Sequence, residues 1–180
     1  MSSGEELNPT PVQLFTLSHL FIEDRKKLDS LPRYYTSSHA MQPVTVTTKH
    51  LLTIMPGSII PKTLEIGVCN ELNLLVRHRY LKQEIKRQND EYVTFFSNTN
   101  KGTAFVNRYI DKLSRTIKDE KINDQDIDHV DISIGAKEFA KGTLRKVLDK
   151  TQDEIASALI SGLKIYGPSL IMLFTSNLGT

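Results

Sequence analysis

The first strong pattern in the chain is an amphipathic helix near the N-terminus. Thr10, Pro11 and Gln13 place a capping hydroxyl, a proline suited to the first helical position and a glutamine in the spacing of a capping box. The apolar positions that recur at helical spacing are Leu14, Leu17, Phe21 and Leu28. We predict a helix over residues 11–30, preceded by a flexible tail over residues 1–9.

Beyond a polar stretch at residues 33–43, the apolar period changes to two. Val44 and Val46 alternate with threonines, an apolar run continues to residue 55, and alternation returns at residues 64–68. Such alternation is typical of half-buried strands. We therefore predict two antiparallel strands over residues 44–55 and 59–68.

The remaining pattern mixes helices and short strands without regular alternation. It predicts helices over residues 71–88, 103–118, 136–149 and 151–166, and strands over residues 92–96, 129–134 and 170–174. Asn70 and Thr103 are the expected caps of the first two of these helices. Irregular order favours an α+β fold, with mixed helices packed on a small, mainly antiparallel sheet. We expect one globular domain over residues 10–180.

Composition excludes several classes of protein. The chain has 180 residues, 39% of them hydrophobic, and a net charge of +2, so it is neither a polycation nor a disordered chain. It contains no apolar run of about 18 residues that would span a membrane. One cysteine, Cys69, excludes an internal disulfide framework and a multi-cysteine zinc site. The polar N-terminus lacks a secretory pattern, so we expect an intracellular, cytoplasmic protein.

No catalytic or cofactor motif is present. The phosphate-binding patterns GxxxxGK[ST] and GxGxxG, the GxSxG elbow and the HExxH pair are all missing. The five histidines are widely spaced, and a catalytic site would have to be gathered from distant members such as His39, His50 and His129. We expect no metal, no small-molecule cofactor and no catalytic residue.

An acidic segment over residues 119–131 partly matches a calcium-binding loop. Asp124, Asp126 and Asp128 have the first, third and fifth positions of an EF-hand. His129 stands where the turn glycine is needed, and Gly135 stands where the bidentate glutamate is needed. We therefore predict no specific calcium site.

Charge is unevenly distributed along the chain. Residues 71–118 hold ten basic and five acidic residues, whereas residues 119–131 hold one basic and six acidic. Two basic stripes at helical spacing are expected on the predicted helices over 71–88 and 103–118, with nearby aromatic residues available for stacking. The candidate polyanion-binding residues are Arg77, Arg79, Lys82, Lys86, Arg87, Arg108, Lys112 and Arg115.

These observations predict a non-enzymatic, self-associating structural protein that contacts a polyanion. A viral coat, nucleocapsid or matrix-like subunit that binds RNA or an acidic membrane surface would have this pattern, and it would be cytoplasmic or virion-associated. Two alternatives remain open at this point. One is a protein–protein adaptor whose basic stripes are only solvated, and the other is an enzyme with a site assembled from dispersed histidines.

Overall fold

The computed structural model describes residues 8–30, 42–55, 60, 64–119, 125, 128, 134–135, 137–138, 141–142 and 154, and side chains within the last helix as far as residue 111. In this part of the chain the helices are α1 Pro11–Asp29, α2 Thr48–Ile54, α3 Glu65–Arg77 and α4 Asn100–Asp119. The strands β1 Leu81–Gln88 and β2 Glu91–Asn98 form a two-stranded antiparallel sheet. This α+β arrangement confirms the predicted fold class.

Helix α1 begins where the sequence predicts it. The Gln13 N–H donates to Thr10 Oγ1 at 3.3 Å and the Thr10 N–H donates to Gln13 Oε1 at 3.2 Å, which confirms the capping box. Residues 12–18 are buried without interruption, so the first half of α1 lies inside the core. Leu28, the last position of the predicted apolar line, is 51% exposed, because the last turns of α1 extend beyond the core.

The segment predicted as a strand over residues 44–55 contains a single bridge followed by a helix. Val46 exchanges two backbone hydrogen bonds of 2.8 and 2.9 Å with Phe96 along the edge of β2. Thr47 then caps α2, since its Oγ1 accepts a hydrogen bond from the His50 N–H at 3.1 Å. The strand prediction was wrong after Val46, because Thr47 caps a helix that begins at the next residue. Alternation of apolar and polar residues does not reveal such a cap.

Helix α3 replaces the strand predicted over residues 59–68, which was wrong for the described residues 64–68. Val68, Leu72 and Leu75 are buried at spacings of four and three, so the helical period determines burial here. Asn70 lies inside this helix and does not cap it. Because α3 ends at Arg77, the helix predicted over residues 71–88 is correct only in its first part.

A tight turn explains why the second part of that prediction failed. Asn89 and Asp90 have φ values of 47° and 65°, the two positive angles of a type I′ hairpin turn. The turn sets the register of the hairpin, with Gln88 opposite Glu91 at the turn. Pairing with β2 therefore makes β1 a strand despite its helical spacing of apolar residues, and β2 confirms and extends the strand predicted over residues 92–96.

The core lies where α1 contacts α3, α4 and β2. Its largest fully buried side chains include Phe15, Phe21, Leu51, Leu75 and Ile110. Asn98 at the end of β2 donates from Nδ2 to the Leu17 carbonyl oxygen at 3.1 Å, which ties the sheet to α1. The end of the hairpin that carries the Asn89–Asp90 turn lies outside this core, since residues 82–92 are exposed.

Several predictions fall outside the described residues. They are residues 33–41 of the polar stretch, residues 129–133 of one predicted strand, the whole strand at 170–174, and most of the helices at 136–149 and 151–166. Residue 134 is described and is helical, so the strand prediction was wrong at that position. The division into a tail over residues 1–9 and one domain over residues 10–180 likewise stays a prediction.

Candidate functional site

Helix α3 ends in a Schellman motif that places an arginine where glycine is usual. The Arg79 N–H donates to the Val76 carbonyl and the Tyr80 N–H to the Leu75 carbonyl, both at 2.9 Å, and these two bonds define the motif. Arg79 has a φ of 63°, a left-handed conformation that costs a non-glycine residue roughly 1–2 kcal/mol. Its side chain is exposed. The fold thus holds a solvent-facing guanidinium on a strained backbone position.

Helix α4 starts against this turn, bonded to it through Thr99. The Thr99 hydroxyl lies 2.7 and 3.0 Å from the carbonyl oxygens of Arg79 and Tyr80, between which it shares its proton. The same oxygen accepts a hydrogen bond from the Gly102 N–H at 3.1 Å, so Thr99 and not the predicted Thr103 caps α4. The end of α3 and the start of α4 are therefore fixed to each other.

Lys101 spans this contact between the two helices. Its Nζ donates to the carbonyl oxygen of His78 at 2.9 Å and lies 4.2 Å from the centroid of the Tyr80 ring. His78 is the C-cap of α3, where the helix dipole is negative. Lys101 was not among the predicted site residues. Its seven-residue spacing from Arg108, which puts both on one side of α4, is the sequence signal that identifies it.

The eight predicted polyanion-binding residues lie in three places. They are found at the end of α3 and its following turn (Arg77, Arg79), on β1 (Lys82, Lys86, Arg87) and in α4 (Arg108, Lys112, Arg115). The side chains of the last two lie outside the described residues. The predicted helical stripe of Arg79, Lys82 and Lys86 was wrong, because the chain turns at Arg79 and continues as a strand.

On the outer hairpin the basic charges are matched by carboxylates. Lys86 Nζ lies 3.3 Å from Glu84 Oε2 and 5.7 Å from the centroid of the Phe95 ring. Arg87 Nη2 lies 2.7 Å from Asp90 Oδ1. Exposed pairs of this kind contribute little to stability, but they cancel the charge that a distant polyanion would experience. The outer part of the hairpin is therefore a poor polyanion site.

We give the name basic junction to the surface that carries four cations: Arg77 and Arg79 at the end of α3, Lys101 in the first turn of α4, and Arg108 two turns into α4 on the side of Lys101. The three arginines are exposed, and none of them forms an ion pair within the part of the chain that the structure describes. Guanidinium groups bind phosphate through paired N–H donors, so this surface has the chemistry of a phosphate-contacting site.

Burial decides which aromatic residues are accessible. Tyr80 and Phe96 are only 4% and 3% exposed, so they belong to the core and are not available for stacking. Phe95 is half-buried beneath Lys86. Tyr92, close to the hairpin turn, is 79% exposed. Of these four aromatic residues, Tyr92 is thus the one whose ring faces solvent.

The histidines do not assemble into a site within the described residues. The rings of His19 and His50 lie 6.1 Å apart, whereas His39 and His129 fall outside the description. In the ranges that the structure describes, no three histidine, cysteine or carboxylate side chains come together in a way that would hold a metal ion.

The acidic segment is described at only a few positions. Asp124, Asp126 and His129 are outside the described residues, so the predicted lack of a calcium loop stays a prediction. Asp128 pairs with Lys141, whose Nζ lies 2.8 Å from its Oδ1. At least this carboxylate has a basic partner within the chain.

Comparisons with known proteins give no family for the chain. No protein-family model, curated protein or solved structure matches it significantly. Among the described residues, every helix is too short or too polar to cross a bilayer. The basic junction and the hairpin are the features of the described residues that bear on function.

Proposed function

We propose that the chain is a non-enzymatic structural protein that associates with copies of itself and contacts a polyanion, RNA in particular, through the basic junction. The observation that carries the proposal is Arg79. This exposed guanidinium occupies a left-handed backbone position at the end of α3, and the other two arginines of the basic junction, Arg77 and Arg108, have no described acidic partner.

The conformation of Arg79 argues for a role of its side chain. Glycine is the usual residue at this position of a Schellman motif, because it adopts a positive φ without steric cost. An arginine there lowers stability, and strained residues of this kind are concentrated at functional sites. The charge of Arg79 therefore has a use that the fold alone does not supply.

Stabilisation of α3 accounts for only part of the junction. Cations near a helix C-terminus interact favourably with its dipole, which gives Arg77 and Lys101 a structural role. Arg108 lies two turns into α4, away from the ends of α3, and gains nothing from that dipole. Phosphate contact accounts for Arg108 as well as for Arg77 and Arg79, since guanidinium groups bind phosphate through paired N–H donors.

Salt-dependent RNA binding tests the proposal. We expect a labelled single-stranded RNA to bind the wild type, and a triple variant Arg77→Gln, Arg79→Gln, Arg108→Gln to bind it more weakly at every sequence. The plot of log affinity against log salt should flatten by about 0.7 per lost contact. Fluorescence anisotropy at several ionic strengths measures both quantities.

A double variant, Lys26→Gln with Arg87→Gln, is the matched control. It also removes positive charge, but from exposed residues already paired with Glu23 and Asp90. It should leave the affinity and the salt slope nearly unchanged. Equal losses of RNA affinity in the two variants would show that net charge alone drives binding. That result would contradict a specific role of the basic junction.

The second candidate function is that of a protein–protein adaptor, and the exposed apolar residues of the hairpin favour it. Ile85 and Tyr92 are 60% and 79% exposed, and protruding apolar side chains are common in protein interfaces. If the wild-type protein binds neither RNA nor vesicles containing anionic lipid at physiological salt, the adaptor hypothesis is favoured over polyanion binding. Binding to the vesicles but not to RNA would reassign the junction to a membrane surface.

A further inference from the structure

The outer edge of β1 is available for pairing with another strand. The N–H and C=O of Phe96 both bond to Val46, so they do not bond to Gln83, which lies opposite Phe96 in the hairpin. Because bonded and non-bonded pairs alternate in an antiparallel ladder, Gln83, Ile85 and Arg87 turn their N–H and C=O groups outward. No described residue pairs with this edge.

The same strand projects from the body of the protein. Residues 82–92 are all exposed, which includes both faces of β1 after Leu81 and the whole turn. Ile85 is the large apolar residue at the middle of this stretch, and it is 60% exposed. A partner strand can therefore approach the edge without moving any described element.

The order of charges along β1 is complementary to itself. When two copies of β1 run antiparallel with Ile85 opposite Ile85, Glu84 of each copy stands opposite Lys86 of the other. Arg87 then lies opposite Gln83, and Lys82 opposite Gln88. This register sets two pairs of opposite charge around a central apolar pair and opposes no like charges.

The two neighbouring registers, in which one strand slides by two residues in either direction, are penalised. Centring the pairing on Glu84 opposes Glu84 to Glu84 and Lys82 to Lys86, and centring it on Lys86 opposes Lys86 to itself. Like charges directly opposite each other destabilise a strand pair, and lysines on an edge strand normally block such pairing. Of these three registers, only the one centred on Ile85 places Lys86 opposite a carboxylate and opposes no like charges.

We propose that two copies of the chain associate through antiparallel pairing of their β1 edges, centred on Ile85. The result is a continuous four-stranded sheet in the order β2, β1, β1, β2, with the two Ile85 side chains in contact across the two-fold axis. This inference rests on the self-association in the proposed function and specifies its surface and its partner.

Charge exchange tests the register in the full chain. Glu84→Lys and Lys86→Glu each set like charges opposite each other twice in the dimer, and each should raise the dimer dissociation constant at least about tenfold. The double variant E84K/K86E restores both pairs and should return to within about threefold of the wild type. Sedimentation equilibrium over a range of concentrations measures the constants.

A backbone substitution tests the edge itself. Gln83→Pro removes an outward N–H that the hairpin does not use, so it should abolish dimerisation while the thermal transition persists. Gln83→Ala is the matched control and should still dimerise. If Gln83→Pro unfolds the protein, a disulfide test replaces it. Ile85→Cys in a Cys69→Ala background should cross-link on oxidation, because paired Cα atoms lie about 5.5 Å apart.

Thr94→Cys in the same background provides the disulfide control. Thr94 lies opposite Ile85 on β2, so its two copies would stand three strand spacings apart, about 14 Å, and should not cross-link. A wild type that is monomeric at all concentrations would overturn both this inference and the proposed self-association. A dimer unaffected by the charge and proline variants would overturn the β1 interface alone.

Discussion

The ammonium nitrogen of Lys101 lies 2.9 Å from the carbonyl oxygen of His78, so the first turn of α4 bonds to the last turn of α3. This contact brings together basic residues that are distant in the chain. Lys101 lies on the same side of α4 as Arg108, while His78 lies between Arg77 and Arg79. The basic junction thus depends on how two helix ends meet, and variants at that meeting point test the structure independently of function.

Gly102 is predicted to tolerate no side chain. An added Cβ would collide with the carbonyl oxygen of Tyr80 and lie 3.1 Å from Asn98 Oδ1. Gly102→Ala should therefore lower the free energy of unfolding by about 1–3 kcal/mol. The clashing atom belongs to the backbone of Tyr80, so it cannot move aside as the end of a flexible side chain would. Gly142→Ala is the matched control. No described atom lies within 4 Å of a Cβ added at Gly142, so the free energy of unfolding of this variant should rise by roughly 0.5–1 kcal/mol. Urea unfolding of both variants measures the difference, and equal stability would contradict the described packing at Tyr80.

Thr10 is predicted to stabilise α1 and its contact with α3. Its Oγ1 accepts from the Gln13 N–H and also donates to Glu71 Oε2 at 3.1 Å. Thr10→Ala should cost about 0.5–2 kcal/mol of unfolding free energy, whereas Thr10→Ser keeps the hydroxyl and should cost less. Thermal unfolding compares the two. Identical melting temperatures for the wild type and the alanine variant would contradict the capping role.

The pKa of Asp24 predicts a pH dependence of stability. Burial raises this pKa above its usual 3.8, although the Val44 N–H, which donates to Asp24 Oδ1 at 2.7 Å, and Lys27 both act to lower it. The folded protein therefore binds this proton more tightly than the unfolded chain, and its contribution to stability falls as pH rises from 3.8 through the raised pKa.

Asp24→Asn is expected to remove this loss of stability at higher pH. The asparagine Oδ1 can still accept the hydrogen bond from the Val44 N–H, and the amide side chain does not ionise. The variant should gain stability relative to the wild type between pH 3 and pH 7, as measured by urea unfolding at both values. Asp29→Asn, at the exposed end of the same helix, controls for the change in net charge. A relative gain no larger than that of this control would contradict the raised pKa of Asp24.

Local signals predicted some elements and misjudged others for physical reasons. The capping box at Thr10 fixed α1 because both of its hydrogen bonds form between neighbours in sequence. Residues 81–88 have helical spacing, yet they form β1 because they pair with β2 across the Asn89–Asp90 turn. Pairing is a tertiary interaction, and it overrides the propensity of either strand alone.

The candidate site was predictable to a similar extent. Excess positive charge identified Arg77, Arg79 and Arg108, which the structure leaves exposed. Charge counts do not reveal that Arg87 is paired with Asp90, since that contact depends on the turn between the strands. They also miss Lys101, whose position follows from the way α4 starts against the end of α3.

The most direct test of the account is a single substitution, Arg79→Gly, examined for stability and for RNA binding in the same preparation. Glycine relieves the left-handed strain at this position, so the melting temperature should stay equal to that of the wild type or rise. Affinity for single-stranded RNA should nevertheless fall, and the plot of log affinity against log salt should flatten by about 0.7, the loss of one phosphate contact. An Arg79→Gly variant that is folded and binds RNA with the affinity and salt slope of the wild type would contradict the proposed role of the basic junction.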